Sequence, residues 1–125
     1  MIRSIIALIG SFAIYVFVLL ALTLVAAFVF GAPRGAPTMP FLALRLAIAA
    51  IAALAGGFSC AALAPGRPRA HVAGLAAMIL VTHLSAVLKP PGGQPRWDPA
   101  AHAVIVPLVA LGGGLLRRRP SPVRA

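Results

Sequence analysis

From Ile5 to Phe30 the chain reads IIALIGSFAIYVFVLLALTLVAAFVF and carries no charged residue. A bilayer core about 30 Å thick needs about 20 apolar helical residues to cross it. This run exceeds that length, so a tilted transmembrane helix is expected. A cleaved signal peptide would share the positive start Met1-Ile2-Arg3. Its apolar core, however, is only about 7–15 residues long, so an uncleaved helix is expected.

Three further apolar runs follow, at residues 41–63, 70–88 and 99–116. The first break, GAPRGAPTMP, and the third, KPPGGQPRWD, are rich in Pro and Gly and cannot continue a helix. The second, APGRPR, is a short basic turn. The expected architecture is therefore all-α, one domain of four transmembrane helices (about 5–30, 41–63, 70–88 and 99–116) with short loops. Residues 117–125 form a basic tail, expected to be disordered. Composition agrees: 62% of the 125 residues are hydrophobic and 10% charged. A soluble chain this short has too much surface for its volume to hide that apolar load.

The net charge is +10. In a soluble protein such a balance would raise nucleic acid as a partner. Here the cations sit in the gaps between apolar runs, where they set membrane orientation, and no nucleic-acid partner is expected. Both termini lie on one side of a four-span chain. That side holds Arg3, Arg67, Arg69, Arg117, Arg118, Arg119 and Arg124; the other holds Arg34, Arg45, Lys89 and Arg96. The positive-inside rule then places both termini in the cytoplasm, and the composition has the style of small bacterial inner-membrane proteins.

Lipid tails are as apolar as leucine, so close contact rather than hydrophobicity brings transmembrane helices together, and small residues permit it. In the second run Ala49, Ala53, Gly57 and Ala61 recur every four residues, with Ala52, Gly56 and Cys60 as a parallel row. These are the expected packing residues, and they put the second helix at the centre of the bundle. Ala73 and Ala77, with Gly74, are expected to serve the third helix in the same way, and the first helix is expected to be the most lipid-exposed. Pro107 interrupts the fourth run, and Gly112, Gly113 and Gly114 allow close approach near its end. Trp97 and Arg117, Arg118 and Arg119 are the expected interface anchors.

Ionisable residues inside a membrane are functional candidates by default, and few are present. The chain has one acidic residue, Asp98, and no glutamate or asparagine. The embedded glutamate with which small four-helix multidrug exporters exchange protons for cations is absent. So is an intramembrane asparagine of the kind small fluoride channels carry. Arg45 lies near one end of the second run, where its guanidinium can snorkel to the headgroups. Asp98 is an N-cap residue type, with Pro99 suited to the first helical position. Cys60 reads as a small core residue.

His83, next to Thr82 and Ser85, is the candidate for a cofactor. A neutral imidazole can ligate haem or another tetrapyrrole, bind a metal or relay a proton. His71 is expected near the opposite end of the third helix and cannot share a ligand with His83. Asp98 and His102 are four apart, a spacing that lets helical side chains meet. With His83 they can form an outward-facing polar cluster. No ligand-spaced motif for a metal is present.

With one carboxylate, the paired groups of many hydrolases are missing, and an enzyme is not expected. The leading expectation is an accessory or structural subunit of a membrane complex, its partners the bilayer and other integral subunits or a second copy. The alternatives are a small oligomeric transporter or channel for a non-cationic solute, and a tetrapyrrole- or metal-binding subunit using His83. A reporter fused to the C-terminus is expected to read cytoplasmic; a clear external signal there contradicts the orientation.

Overall fold

The computed structural model describes residues 1–31 and 34–117. The expected tail, with Arg118 and Arg119, lies outside the described residues beyond Arg117. Four helices account for almost all of the rest: α1 (Ile2–Phe30), α2 (Met39–Leu63), α3 (Pro68–Leu88) and α4 (Trp97–Leu116). Each is long and apolar enough to cross a membrane. The protein is an all-helical bundle of membrane-spanning character, with no strand among the described residues.

Each helix ends where its apolar run ends but starts two or three residues earlier. The cause lies in the first turn. Its N–H groups have no intrahelical partner, so polar residues and proline enter there without loss. Pro40 and Pro68 sit in the opening turns of α2 and α3, where the fixed φ of proline suits a helix start. In α4 the same effect corrects the expected cap. The helix begins at Trp97, so Asp98 lies inside the first turn and its side chain makes no capping bond. Farther along, α4 runs through Pro107 without a break.

The helices alternate in direction. The start of α2 meets the start of α4 through Arg45 and Asp98, and their far ends meet through Arg117 and Ala61. Gly74 near the start of α3 lies against Leu8 near the start of α1. The pairs α2/α4 and α1/α3 are thus each parallel, and neighbours in sequence are antiparallel. Both α2 and α3 touch all three other helices; α1 and α4 do not touch.

Small residues make the centre. Ala49, Ala52, Ala53, Gly56, Gly57, Cys60 and Ala61 of α2 are all buried. At Gly57 a Cβ would strike the backbone carbonyl of Ala110 in α4, and at Gly113 a Cβ would strike that of Leu54 in α2. The two backbones touch reciprocally, with one glycine from each helix. A second face of α2 meets α1, where Gly56 lies against Tyr15 and Ser11.

On α3 the structure corrects the expectation. Ala73 and Ala77 are exposed, and the helix instead buries Val72, Leu75, Ala76 and Ile79. Small residues let backbones approach only where another backbone arrives; α3 meets its neighbours with larger side chains. Gly74 does pack, against the Leu8 side chain. Along α1 only Ala7, Ser11 and Tyr15 are fully buried, leaving side chains such as Phe17, Leu24 and Phe28 exposed. Its 29 residues span about 43 Å at 1.5 Å per residue, more than the hydrocarbon core.

Gly57→Leu is expected to destabilise the protein strongly. Overpacking against side chains already costs about 1–3 kcal/mol, and the Ala110 backbone can yield less than a side chain. Gly112→Ala, where a Cβ meets nothing within 4 Å, is expected to be neutral or to stabilise by up to about 1 kcal/mol. Thermal melts of the detergent-solubilised variants check both; a wild-type melt for Gly57→Leu contradicts the α2–α4 contact.

Candidate functional site

The alternation of helix directions brings the end of α3 and the starts of α2 and α4 to one end of the bundle. Arg45 is six residues into α2, His83 five from the end of α3, and His102 five into α4. At about 1.5 Å per residue, all three sit about 7–9 Å along their helices from that end. Tyr15 reaches them from the middle of α1.

These residues form a chain of contacts across all four helices. The Arg45 guanidinium lies 3.7 Å from Asp98 Oδ2. On the other side, His102 Nδ1 is 3.6 Å from Asp98 Oδ1. That same nitrogen donates a 2.9 Å hydrogen bond to the backbone carbonyl of Asp98. The His102 and His83 ring centres are 5.7 Å apart. His83 Nε2 and the Tyr15 hydroxyl share a 3.1 Å hydrogen bond. Asp98 and Tyr15 are almost wholly buried, and His102 nearly so.

The carbonyl bond fixes the His102 tautomer. A carbonyl can only accept, so Nδ1 carries the proton and Nε2 of the neutral ring keeps a bare lone pair. The Asp98 carboxylate is held by the charge of Arg45 at 3.7 Å rather than by short hydrogen bonds. Its Oδ1 is buried with no hydrogen-bond partner among the described residues. A lone carboxylate in hydrocarbon would be expensive; the guanidinium beside it is what makes its burial tolerable.

Of the residues singled out from sequence, His83, Asp98 and His102 are brought together. Thr82 and Ser85 are not. Their hydroxyls donate to carbonyls of α3 itself, and both residues face outward. This is the usual outcome for a hydroxyl on a helix in lipid, where its own helix offers the nearest acceptor. His71 stands at the start of α3 and donates to the Arg67 carbonyl, remote from the cluster. Trp97 opens α4 in an exposed position. At the far end Arg117 donates to the Ala61 carbonyl, one of the last in α2 and so without a helical partner. Cys60 is buried and unpaired.

Two members of the cluster, Arg45 and Tyr15, are not among the candidates that the sequence offers. Arg45 reads from sequence as a snorkelling cation, yet it is the counter-ion of Asp98. The signal was present: Arg45 is the one cation inside an apolar run and Asp98 the one acid in the chain, and four antiparallel spans put both at the same end. Tyr15 gave no comparable signal, because an isolated tyrosine in an apolar run reads as core.

Beside the cluster a cavity of about 540 Å³ lies along α1 and α2, with His83 of α3 and His102 of α4 at its polar end. Leu19, Leu20, Ala27 and Phe30 of α1 form one wall, and Phe41, Leu44 and Ile48 of α2 another. Arg45, His83, His102 and Gln94 supply its polar part. A second cavity, of about 600 Å³, lies at the opposite end among α2, α3 and α4, with Arg69 and Arg117 on its lining. Among the described residues, no group of three or more His, Cys, Asp or Glu side chains is placed to hold a metal ion.

Comparison with protein-family models, with curated proteins and with solved structures finds no match. What the cluster does must follow from its own side chains. It joins four helices through one neutralised ion pair, two imidazoles and a phenol, and it presents hydrogen-bonding atoms to an apolar cavity.

The ion pair makes an asymmetric prediction. Arg45→Leu strands a buried carboxylate and is expected to cost about 3 kcal/mol or more. Asp98→Leu strands a guanidinium whose side chain is 36% exposed and can turn to the headgroups, so a loss of about 1 kcal/mol or less is expected. The double variant should recover most of the Arg45→Leu loss, since an apolar pair often replaces a buried ion pair without penalty. Thermal melts of the three variants test this; equal losses for the two single variants contradict it.

Proposed function

We propose that this protein is an accessory or structural subunit of a membrane complex, resident in a bacterial inner membrane with both termini in the cytoplasm. The observation that carries this reading is the pairing of Arg45 with Asp98. Ion-coupled transport needs an embedded charge that changes partner or protonation during the cycle. Here the chain's single carboxylate is held between Arg45 and His102 inside the bundle. Its work is to join α2 to α4, which is a structural task.

The outer surface supports the same reading. The α2–α4 contact is backbone-tight, whereas α1 gives most of its length to the outside. Phe17, Leu24 and Phe28 are large, rigid or branched side chains on an exposed helix that touches only α2 and α3. A neighbouring transmembrane helix of another subunit can pack there without displacing any contact within the bundle.

Photo-crosslinking amino acids at Phe17, Leu24 and Phe28 are expected to capture one discrete membrane protein in native membranes. The same substitution at Leu108 of α4 should capture less. Native purification should recover that partner in fixed ratio. Repeated isolation of the chain alone, with lipid adducts at every position, contradicts the proposal. An absorption spectrum of the purified complex tests in the same preparation whether His83 carries a tetrapyrrole.

A further inference from the structure

The cavity along α1 and α2 lies beside the cluster, and the cluster has hydrogen-bonding groups left over. Among the described residues Arg45 makes an ion contact with Asp98 but no hydrogen bond, so the five N–H donors of its guanidinium are unspent. In the neutral ring His102 Nε2 carries a lone pair with no hydrogen-bond partner among the described residues. Both residues line the cavity, as do His83 and the amide of Gln94. The volume of about 540 Å³ lies within the range of small-molecule sites, which are mostly apolar with a few convergent polar groups.

We propose that this cavity binds a neutral, lipid-soluble molecule whose head carries carbonyl or hydroxyl oxygens. Charge decides between head groups. Arg45 and Asp98 cancel, so an anionic head would leave the site with one uncompensated negative charge in a low-dielectric setting. A cationic head would meet the Arg45 guanidinium on the lining, while the Asp98 carboxylate is buried behind it. A neutral oxygen-bearing head meets neither penalty. Its oxygens accept from Arg45 and Gln94, and a hydroxyl can also donate to His102 Nε2. The apolar remainder of the ligand lies along Leu20, Phe30, Phe41 and Leu44. Because Leu20 and Phe30 on the cavity wall are also exposed at the bundle surface, a tail has a sideways route to the acyl chains. The chemistry fits both a membrane quinone and the neutral head of an acylglycerol. The inference stands or falls separately from the subunit assignment, because it concerns a cavity lined by this chain alone.

The full-length protein in phosphatidylcholine nanodiscs would be titrated with four probes: a decyl-substituted benzoquinone, a monoacylglycerol, dodecanoate and dodecyltrimethylammonium. Saturable binding at one molecule per chain is expected for at least one neutral probe, and the one that binds more tightly identifies the source of the ligand. Ala27→Trp fills the cavity from an exposed position on α1 and is expected to weaken binding at least tenfold. Thr23→Trp, on the same wall, should act alike and guards against misfolding of the first variant. The double variant Arg45→Leu/Asp98→Leu should weaken binding comparably, and Leu108→Trp, outside the cavity, should not. Unsaturable partitioning of both neutral probes, wild-type binding by both blocking variants, or tighter binding of dodecanoate or the ammonium would each overturn the proposal.

Discussion

Close approach of two backbones, that of α2 at Gly57 and that of α4 at Gly113, sets the geometry of the bundle. In hydrocarbon no hydrophobic force pulls helices together, and van der Waals contact must suffice. Such contact is short-ranged, so a side chain at either position would separate the helices by more than its reach. Because the two glycines are reciprocal, they set the distance between α2 and α4 at two neighbouring points of one axial register. That register puts Arg45 level with Asp98 at one end and Arg117 level with the Ala61 carbonyl at the other.

The polar cluster depends on this frame. A shift of α4 by one turn, about 5.4 Å, would carry Asp98 out of reach of Arg45 and leave both in lipid. His102 would leave His83 in the same movement. The ion pair therefore specifies register where apolar packing alone would tolerate slippage, since apolar rows at four-residue spacing match themselves after every turn. The small residues set how near the helices come, and the charges set where along their length they stop.

Much of this was legible in the sequence. Four uninterrupted apolar runs separated by Pro/Gly breaks leave an integral membrane bundle as the remaining solution, because lipid demands that each backbone satisfy itself. The helix starts were less legible, since hydropathy marks where lipid begins and the first helical turn tolerates polar residues and proline. The rows of Ala49, Ala53, Gly57 and Ala61 are buried, but the same spacing in Ala73 and Ala77 is not. A spacing rule identifies a face that can be approached; only the partner decides whether it is. For the site, His83, Asp98 and His102 could be grouped by end and spacing. Arg45 required pairing two solitary charges across helices distant in sequence, and Tyr15 required knowing which face of α1 turns inward. That second fact is set by Gly56 on α2, the residue against which Tyr15 rests.

The pairing of the second helix with the fourth also bears on how the chain enters the membrane. Helices reach the bilayer in order of synthesis, so α2 arrives with Arg45 well before α4 brings the carboxylate that answers it. During that interval Arg45 must turn its head to the surface, which its place near the helix end allows. Arrival of α4 then supplies a carboxylate 3.7 Å from the guanidinium. The fourth helix thus closes the ion pair that the second leaves open, and a bundle halted before α4 would hold Arg45 without its counter-ion.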